Sequence, residues 1–452
     1  MEVANGAAGS ASERCAAGSR ARIVSAAHTL FVNRGYRAVS IREIAVAAGL
    51  SHPGVLRHFH SKDQVLAAVI AAIKASNAER LTGWQATAEP DTLALSMIAA
   101  GNAEVPGYLA LFAALSGEAS TASHPAHEYM RARYRTLRSI TAKAFVEAIV
   151  HDRVPFQRDA GGEAIRATAA WDGLQVMEQY LPDQVSVVQA LQRYEQLVSY
   201  PPGWRGGAVL APDSRRLAPG EATPGRRVTW DPGMREPDGA ADLDDGAETG
   251  DGVGSAGNRV GRARREQILR AARDLFAARG YANTSLSDIA VRVDSSKATL
   301  LHHFGSKPGL LQAVLRERDR EVSTRSRRQQ FGHATEALRT LADGADRNAR
   351  HAPGLIEVYA VLSCEAVPVD HPAHDYFAAR YTRAVAALRD LLFTAQRDGQ
   401  LSPHRDPEHE AVWLIALWDG LQFQWLYDRD AVDVAAHLRA HLADILPSQT
   451  RH

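Results

Sequence analysis

Residues 23–70 and 268–315 align without a gap at a shift of 245, and 21 of the 48 positions are identical. Leu30-Phe31 recurs as Leu275-Phe276, Arg34-Gly35-Tyr36 as Arg279-Gly280-Tyr281, and His58-Phe59 as His303-Phe304. Pro106–Tyr134 matches Pro353–Tyr381 at a shift of 247, with 15 of 29 positions identical. At that shift Trp171-Asp172-Gly173-Leu174-Gln175 returns as Trp418-Asp419-Gly420-Leu421-Gln422. A unit of roughly 190 residues is far longer than solenoid periods, so the chain is a domain-sized duplication rather than an array.

The text divides accordingly. A disordered arm is expected over 1–19, repeat one over 20–199, a disordered linker over 200–258 and repeat two over 259–447. Each repeat splits into a small amino-terminal domain (20–66; 259–311) and a helical remainder (67–199; 312–447). The linker carries Pro201-Pro202-Gly203, Pro219-Gly220, Pro224-Gly225 and Pro232-Gly233 with almost no periodic apolar residues, so it cannot fold alone.

Inside the repeats the apolar period is helical nearly throughout. Ile23, Ala27, Leu30 and Phe31 form the stripe of a first helix ended by Gly35. Ser40-Ile41-Arg42-Glu43 reads as a capping box opening a second helix. Ser51 caps a third, with Pro53 tolerated in its first turn, and Ser61 caps a fourth. Ser285, Ser296 and Ser306 repeat the plan. Strand-like alternation is absent, so the class is all-α.

The net charge of zero conceals segregation. Between Arg20 and Lys62 seven basic residues face Glu43 alone, and between Arg262 and Lys307 nine basic residues face four acidic ones. The balancing acid is the linker segment Asp231–Asp251, with eight carboxylates. Cys15 and Cys364 are the only cysteines, which excludes a disulfide framework and fits a reducing cytoplasm. No secretion signal is legible at the amino terminus, and no apolar run approaches the ~18 residues of a membrane span. The 47 arginines against 5 lysines are explained by a GC-rich genome and support no functional conclusion.

Two short helices joined by a three- to four-residue turn, with Ile44-Ala45 before it and Leu56 and Phe59 after, form a helix-turn-helix. Capping spacing, the basic surplus and a third helix rich in Ser, His, Arg and Lys point to DNA. In such a motif the second helix enters the major groove while flanking cations neutralise phosphates.

The run from Ile44-Ala45 through Gly49-Leu50-Ser51-His52-Pro53-Gly54-Val55-Leu56-Arg57-His58-Phe59-His60-Ser61-Lys62, and its copy from Ile289-Ala290 through Ser306-Lys307, resembles the TetR-type (TetR/AcrR) bacterial transcriptional regulators. The resemblance takes in Phe31…Gly35-Tyr36, Phe276…Gly280-Tyr281 and the late Trp-Asp-Gly-Leu-Gln, leaving out only arm and linker. It implies DNA contacts from Ser40, Arg42, Ser51, His52, Gly54, Arg57 and His58 in repeat one. In repeat two it implies Ser285, Ser296, Lys297, Thr299, His302 and His303. Lys62 and Lys307 would hold phosphates, and Arg22 with Arg262, Arg264 and Arg265 would reach phosphate or the minor groove. Two positions depart from the family: Leu56 and Leu301 stand where many members carry Tyr, and Asp294 replaces the turn glycine of Gly49.

The resemblance also implies a small-molecule pocket and a four-helix pairing interface, here 127–152 with 162–181 and 374–398 with 407–428. Trp171, Gly173, Leu174, Val176 and Met177 would lie at that seam opposite Trp418, Gly420, Leu421, Phe423 and Gln424; for the two tryptophans a place in their own core is an equal alternative. Candidate ligand contacts are Trp84, Met97, Tyr108, Phe112, Tyr359 and Phe377, though most large side chains so placed are ordinary core. His124-Pro125-Ala126-His127 and His371-Pro372-Ala373-His374 invite a metal reading. No third ligand is identifiable, and the prolines fit first helical positions, so helix initiation is preferred and no metal or other cofactor is expected. Cys364, which replaces Gly117, is read as a buried thiol.

The reading is a ligand-responsive repressor in which one chain supplies both halves of a pair and meets an imperfect palindromic operator. The recognition helices differ at His52/Lys297, Gly54/Thr299 and Arg57/His302. A flexible linker of about 59 residues spans roughly 40 Å, enough for intrachain pairing. The partners are operator DNA, an unidentified small-molecule effector and the sister repeat, without a membrane. Alternatives are one active motif on a scaffold repeat, and a ligand-binding or protein-interaction module with non-functional motifs. No nucleophile–base constellation, phosphate loop or metal set supports an enzyme.

Overall fold

The computed structural model describes residues 5–36, 38–85, 93–104, 108–204, 255–281, 283–327, 331–351 and 353–446. These residues form eighteen helices and no β-strand. Repeat one contributes α1 (Asn5–Arg34), α2 (Ile41–Ala47), α3 (His52–His58), α4 (Lys62–Gln85), α5 (Leu95–Ala103), α6 (Tyr108–Glu118), α7 (His127–Val150), α8 (Ala160–Tyr180) and α9 (Val187–Val198). Repeat two follows the same order: α10 (Ser255–Arg279), α11 (Leu286–Arg292), α12 (Lys297–Phe304), α13 (Lys307–Arg327), α14 (Ala334–His351), α15 (Pro353–Glu365), α16 (His374–Arg397), α17 (Pro407–Tyr427) and α18 (Val434–Ile445).

Four expected boundaries shift. α1 is helical from Asn5, inside the stretch expected as a disordered arm, where the alanines at 7, 8, 11, 16 and 17 favour helix strongly. The divisions at 66/67 and 311/312 fall within continuous helices, α4 and α13. Of the expected linker, 205–254 lies outside the described residues, but its first residues are docked. Trp204 stacks on Tyr200 with centroids 4.1 Å apart, and Gly203 N–H donates to Asp444 of α18 at 2.9 Å.

Each small domain closes on one apolar face of its first helix. Ile23, Ala27 and Phe31 of α1 are fully buried, together with Ile44 of α2, Val55 of α3 and Val65 of α4. Ile268, Ala272 and Phe276 do the same beneath Ile289, Leu300 and Leu310. Each Ile, Val, Leu or Phe among them contributes roughly 1.5–3 kcal/mol by leaving water.

The two repeats meet through α8 and α17, flanked by α7 and α16, in a four-helix seam. The contacts obey a pseudo-two-fold at the shift of 247 found in the sequence. A Cβ on Gly173 would stand 1.9 Å from the Ala416 carbonyl oxygen, and one on Gly420 would stand 1.7 Å from that of Ala169. The helices cross backbone to backbone there because neither glycine carries a side chain. Tyr180 donates its hydroxyl to the Ser363 carbonyl at 2.5 Å, and its counterpart Tyr427 donates to the Ser116 carbonyl at 2.9 Å. Residue i meets j while j meets i, the signature of an isologous contact. Leu174, Met177 and Phe423 are buried at this seam, whereas half-buried Trp418 lies against Gly344 of its own repeat, 3.8 Å from an added Cβ.

α7 and α16 start at His127 and His374, two residues after Pro125 and Pro372, so the prolines lie outside the first helical position. His124 Nδ1 and His371 Nδ1 instead accept the N–H groups of Ala126 and Ala373 at 3.1 and 3.2 Å. His127 and His374 turn their Nδ1 atoms to the carbonyls of Ala119 and Ala366.

Replacing Gly173 or Gly420 by alanine forces these helices apart, so each substitution should destabilise the chain by about 2–3 kcal/mol. Gly161→Ala, whose Cβ would meet nothing closer than the Asp159 carboxylate at 3.6 Å, should leave the midpoint unchanged or raise it. Thermal unfolding of the three variants measures the contrast.

Candidate nucleic-acid interface

Local chemistry sets the two helix-turn-helix units. The Ser40 hydroxyl accepts the Glu43 N–H, while the Glu43 carboxylate accepts the Ser40 N–H at 2.8 Å. These two Ser40 contacts, with Arg34 at 2.7 Å, hold the exposed Glu43 carboxyl down at about 2. Ser285 and Asp288 form the same box with a shorter acid, whose pKa is also lowered by Ser285. Ser51 caps α3 by accepting the Gly54 N–H at 3.1 Å, and Ser296 caps α12 by accepting that of Thr299 at 3.1 Å.

The intervening turn needs a left-handed residue. Gly49 takes φ +64 without penalty, and Asp294 takes φ +49 in repeat two. The Asp294 carbonyl accepts a hydrogen bond from Arg264 Nη2 at 2.7 Å, which holds that strained turn against α10.

The recognition helices present different outer faces. On α3, Arg57 is exposed, and His52 and His58 are half-buried. On α12, Lys297 and His302 are exposed, with Thr299 and His303 half-buried. Burial, then the neighbouring His302, Arg265 and Arg264, lower the His303 pKa. Ser40, Arg42, Ser51, Ser285, Ser296, Arg22 and Arg262 are exposed around them. Arg22 donates to Ser19 Oγ at 3.5 Å.

Several expected contacts are engaged within the fold instead. Gly54 is buried between Ser51, Leu50 and Arg57, so its share in the interface is the cap and not a surface. Lys62 Nζ donates to the carbonyls of Tyr36 (3.0 Å) and Val39 (2.9 Å) and lies 4.3 Å from the Tyr36 ring centre. Lys307 lies 4.2 Å from the Tyr281 ring centre, where burial lowers its pKa. Both ammonium groups therefore tie the start of α4 or α13 to the end of the first helix. Arg265 sits 5.4 Å from the Phe304 ring centre. Its counterpart Arg20, absent from the sequence expectation, packs 4.3 Å from the Phe59 ring centre. Val46 and Val291, 80% and 82% exposed at equivalent places on α2 and α11, were also not singled out; their repetition was the available signal.

A carboxylate at the end of a body helix also ties each small domain to its repeat. Glu118 at the end of α6 accepts the Tyr36 N–H at 3.0 Å, and Glu365 at the end of α15 accepts that of Tyr281 at 2.6 Å.

Of the expected ligand contacts, Phe112, Tyr359 and Phe377 are buried. The side chains of Trp84 and Tyr108 lie outside the described residues, and Met97 is half-buried. Phe112 is buried under the Arg133 guanidinium at 4.4 Å. Tyr359 donates to Asp319 at 3.0 Å and meets the Tyr376 hydroxyl, while Phe377 is fully enclosed by Tyr180, Tyr359 and Tyr376. Phe112, Tyr359 and Phe377 belong to the core. A cavity of 210 Å³ opens instead where the amino-terminal ends of α8 and α17 meet α9 and α18, lined in part by Glu163, Arg166, Tyr194, Arg405, Glu410 and Trp413. Cys364 is buried, and burial pushes its thiol well up. Among the described residues no group of three or more His, Cys, Asp or Glu side chains is placed to hold a metal, and no helix is long and apolar enough to cross a membrane.

Residues 23–69 and 268–314 both match the family model described as bacterial regulatory proteins, tetR family, and 359–447 matches the carboxy-terminal model of BetI-type transcriptional repressors. The chain is similar to the HTH-type transcriptional regulator TtgR of Pseudomonas putida, 30% identical over 185 residues, 38% of this chain and 83% of that protein. Similarity to the A-factor receptor protein of Streptomyces griseus is 27% over 186 residues, 40% of this chain but only 62% of the relative. A solved structure from Saccharomonospora viridis, described as a transcriptional regulator in complex with choline, is 29% identical with a TM-score of 0.35, covering 40% of this chain and 95% of that one.

Acid should loosen the joint between the second small domain and its body. His371, edge-on to Tyr281 at 5.2 Å, is held neutral by burial, with its pKa lowered from 6.5 to about 4. The unfolded chain takes up that proton first, so this part of the stability is complete above pH 6.5 and is lost as pH falls towards 4. His371→Asn, which keeps an acceptor for Ala373, should lose less midpoint over that window than the parent chain in a pH series of thermal melts.

Proposed function

The chain belongs to the tetR family of bacterial regulatory proteins and is a helix-turn-helix transcriptional regulator, and from that premise we propose that one chain acts as a complete pair of subunits. It reads an imperfect palindrome with α3 on one half-site and α12 on the other. The observation that supports this reading is the pseudo-two-fold seam between α8 and α17, since two-fold operators are read by recognition helices related by such an axis. The differences His52/Lys297 and Arg57/His302 put unlike donors on the two outer faces, so the half-sites differ. Lys62 and Lys307 act here by fixing the motif against the first helix, and phosphate neutralisation falls to exposed Arg22, Arg42 and Arg262.

The regulator responds to a small molecule through α6 and α15. Glu118 and Glu365 tie those helices to Tyr36 and Tyr281, so any shift of α6 or α15 alters the separation of α3 and α12. An effector relieves binding to the extent that it prefers one separation to the other.

Selection of bound DNA from a random pool should return one bipartite site with unlike halves about one helical turn apart. Lys297→Ala with His302→Ala should relax only one half and weaken binding by about 1–3 kcal/mol per specifying contact. Arg57→Ala should relax only the other. Unchanged affinity and footprint in the Lys297/His302 variant would leave α3 as the single active reader, and binding without any preferred site would point to a module that does not read DNA.

A further inference from the structure

The pseudo-two-fold is obeyed by glycines and tyrosines but broken by charge. Arg138 of α7 donates to Asp428 at the end of α17 at 3.2 Å and approaches Gln424 at 3.5 Å. Arg135 adds a contact to the same carboxylate at 3.6 Å. Arg138 and Asp428 are enclosed, their side chains 13% and 16% exposed. Gln424, fully buried, donates to Thr168 of α8 at 3.0 Å. At the shift of 247 the counterparts of Arg138, Asp428, Gln424 and Thr168 are Val385, Leu181, Met177 and Ile415, none of which carries a charge or an amide. Each of these polar contacts is therefore made once, with no equivalent across the axis.

We propose that the seam is built to join unlike repeats: repeat one takes repeat two as its partner and rejects a second copy of itself, and repeat two does the same. Joining two copies of repeat one would set each Arg138 against Leu181 and Met177, stranding two enclosed guanidinium groups. Joining two copies of repeat two would set each Asp428 against Val385 and each Gln424 against Ile415, stranding two carboxylates and two amides. Backbone spacing opposes the second case as well. α6 crosses α15 where a Cβ on Gly117 would stand 2.8 Å from Cys364 Cβ and 3.0 Å from the Val361 carbonyl oxygen. In a pair of second repeats Cys364 would occupy both sides of that crossing, and the helices would have to separate.

Specificity thus comes from contacts that only the unlike pair satisfies and from penalties confined to like pairs. The tether raises the local concentration of the right partner, but the choice of partner lies in the seam. Any assembly of this chain, including one in which two chains exchange repeats, then presents one α3 with one α12. The inference rests on the pairing in the preceding reading and not on its DNA contacts.

A protease site placed within 205–254 allows the purified chain to be nicked, and the two fragments to be unfolded in urea and refolded together. Native mass spectrometry then sorts the pairs. Random association makes like pairs half of the total, and the like-pair share should fall at least about tenfold below that. Like pairs near the random share would overturn the proposal. Asp428→Arg should raise the like-pair share, and adding Arg138→Asp to it should restore unlike pairing by exchanging the two charges. An Asp428→Arg chain that sorts like the parent would remove the charge argument. Correct sorting by a chain that selects no operator would sink the DNA reading alone, whereas random sorting by a chain that selects an asymmetric operator would sink this one alone.

Discussion

Everything else in the molecule is arranged around the contact of α8 with α17. At Gly173 and Gly420 the two helices approach until backbone meets backbone, a spacing that no residue with a Cβ permits. Because both crossings occur at equivalent residues, one axis relates the repeats. The position of every other element follows from how it is attached to these two helices. Tyr180 and Tyr427, at their carboxy-terminal ends, reach the carbonyls of Ser363 and Ser116 in the opposite repeat. Those carbonyls belong to α15 and α6, whose terminal Glu365 and Glu118 hold the small domains. Each recognition unit is therefore two hydrogen-bonded steps from the seam helix of the other repeat.

Enclosed polar groups give this assembly its definition. An apolar seam alone would tolerate rotation about the axis and exchange of partners, since burial is non-directional. Hydroxyl-to-carbonyl bonds at the ends and the Arg138–Asp428 pair at the flank have fixed geometry, and each leaves an unsatisfied group if the seam slips. The opposite end carries a second such cluster, where Arg158 of repeat one and Arg405 of repeat two converge on Asp444. That convergence joins α18 to repeat one and, through Gly203, to the first residues of the connection between the repeats.

The sequence made legible what depends on near neighbours. Capping boxes at Ser40/Glu43 and Ser285/Asp288 span three residues, and the left-handed turn at Asp294 follows from its alignment with Gly49, so both were readable. Gly173 and Gly420 were readable because a small residue recurs inside a repeated apolar run. The ring partners of Lys62 and Lys307 were not readable because they lie 26 positions earlier, and charge alone suggests solvent or phosphate. For Tyr359 and Phe377 the apolar pattern reported burial, but not the hydroxyl and ring partners that surround them. Arg138 and Asp428, 290 residues apart, carry no local signal at all.

The central claim is that a single chain holds both recognition helices in one fixed pair. Dipolar electron-spin resonance between nitroxides at Arg57→Cys and His302→Cys, with buried Cys364 left in place and Cys15 replaced, reads their separation directly. One narrow distance is expected, near the roughly 34 Å of a helical turn, and it should persist when labelled chain is diluted into excess unlabelled chain. A broad distribution, or a distance that vanishes on dilution because it arises between chains, would contradict it.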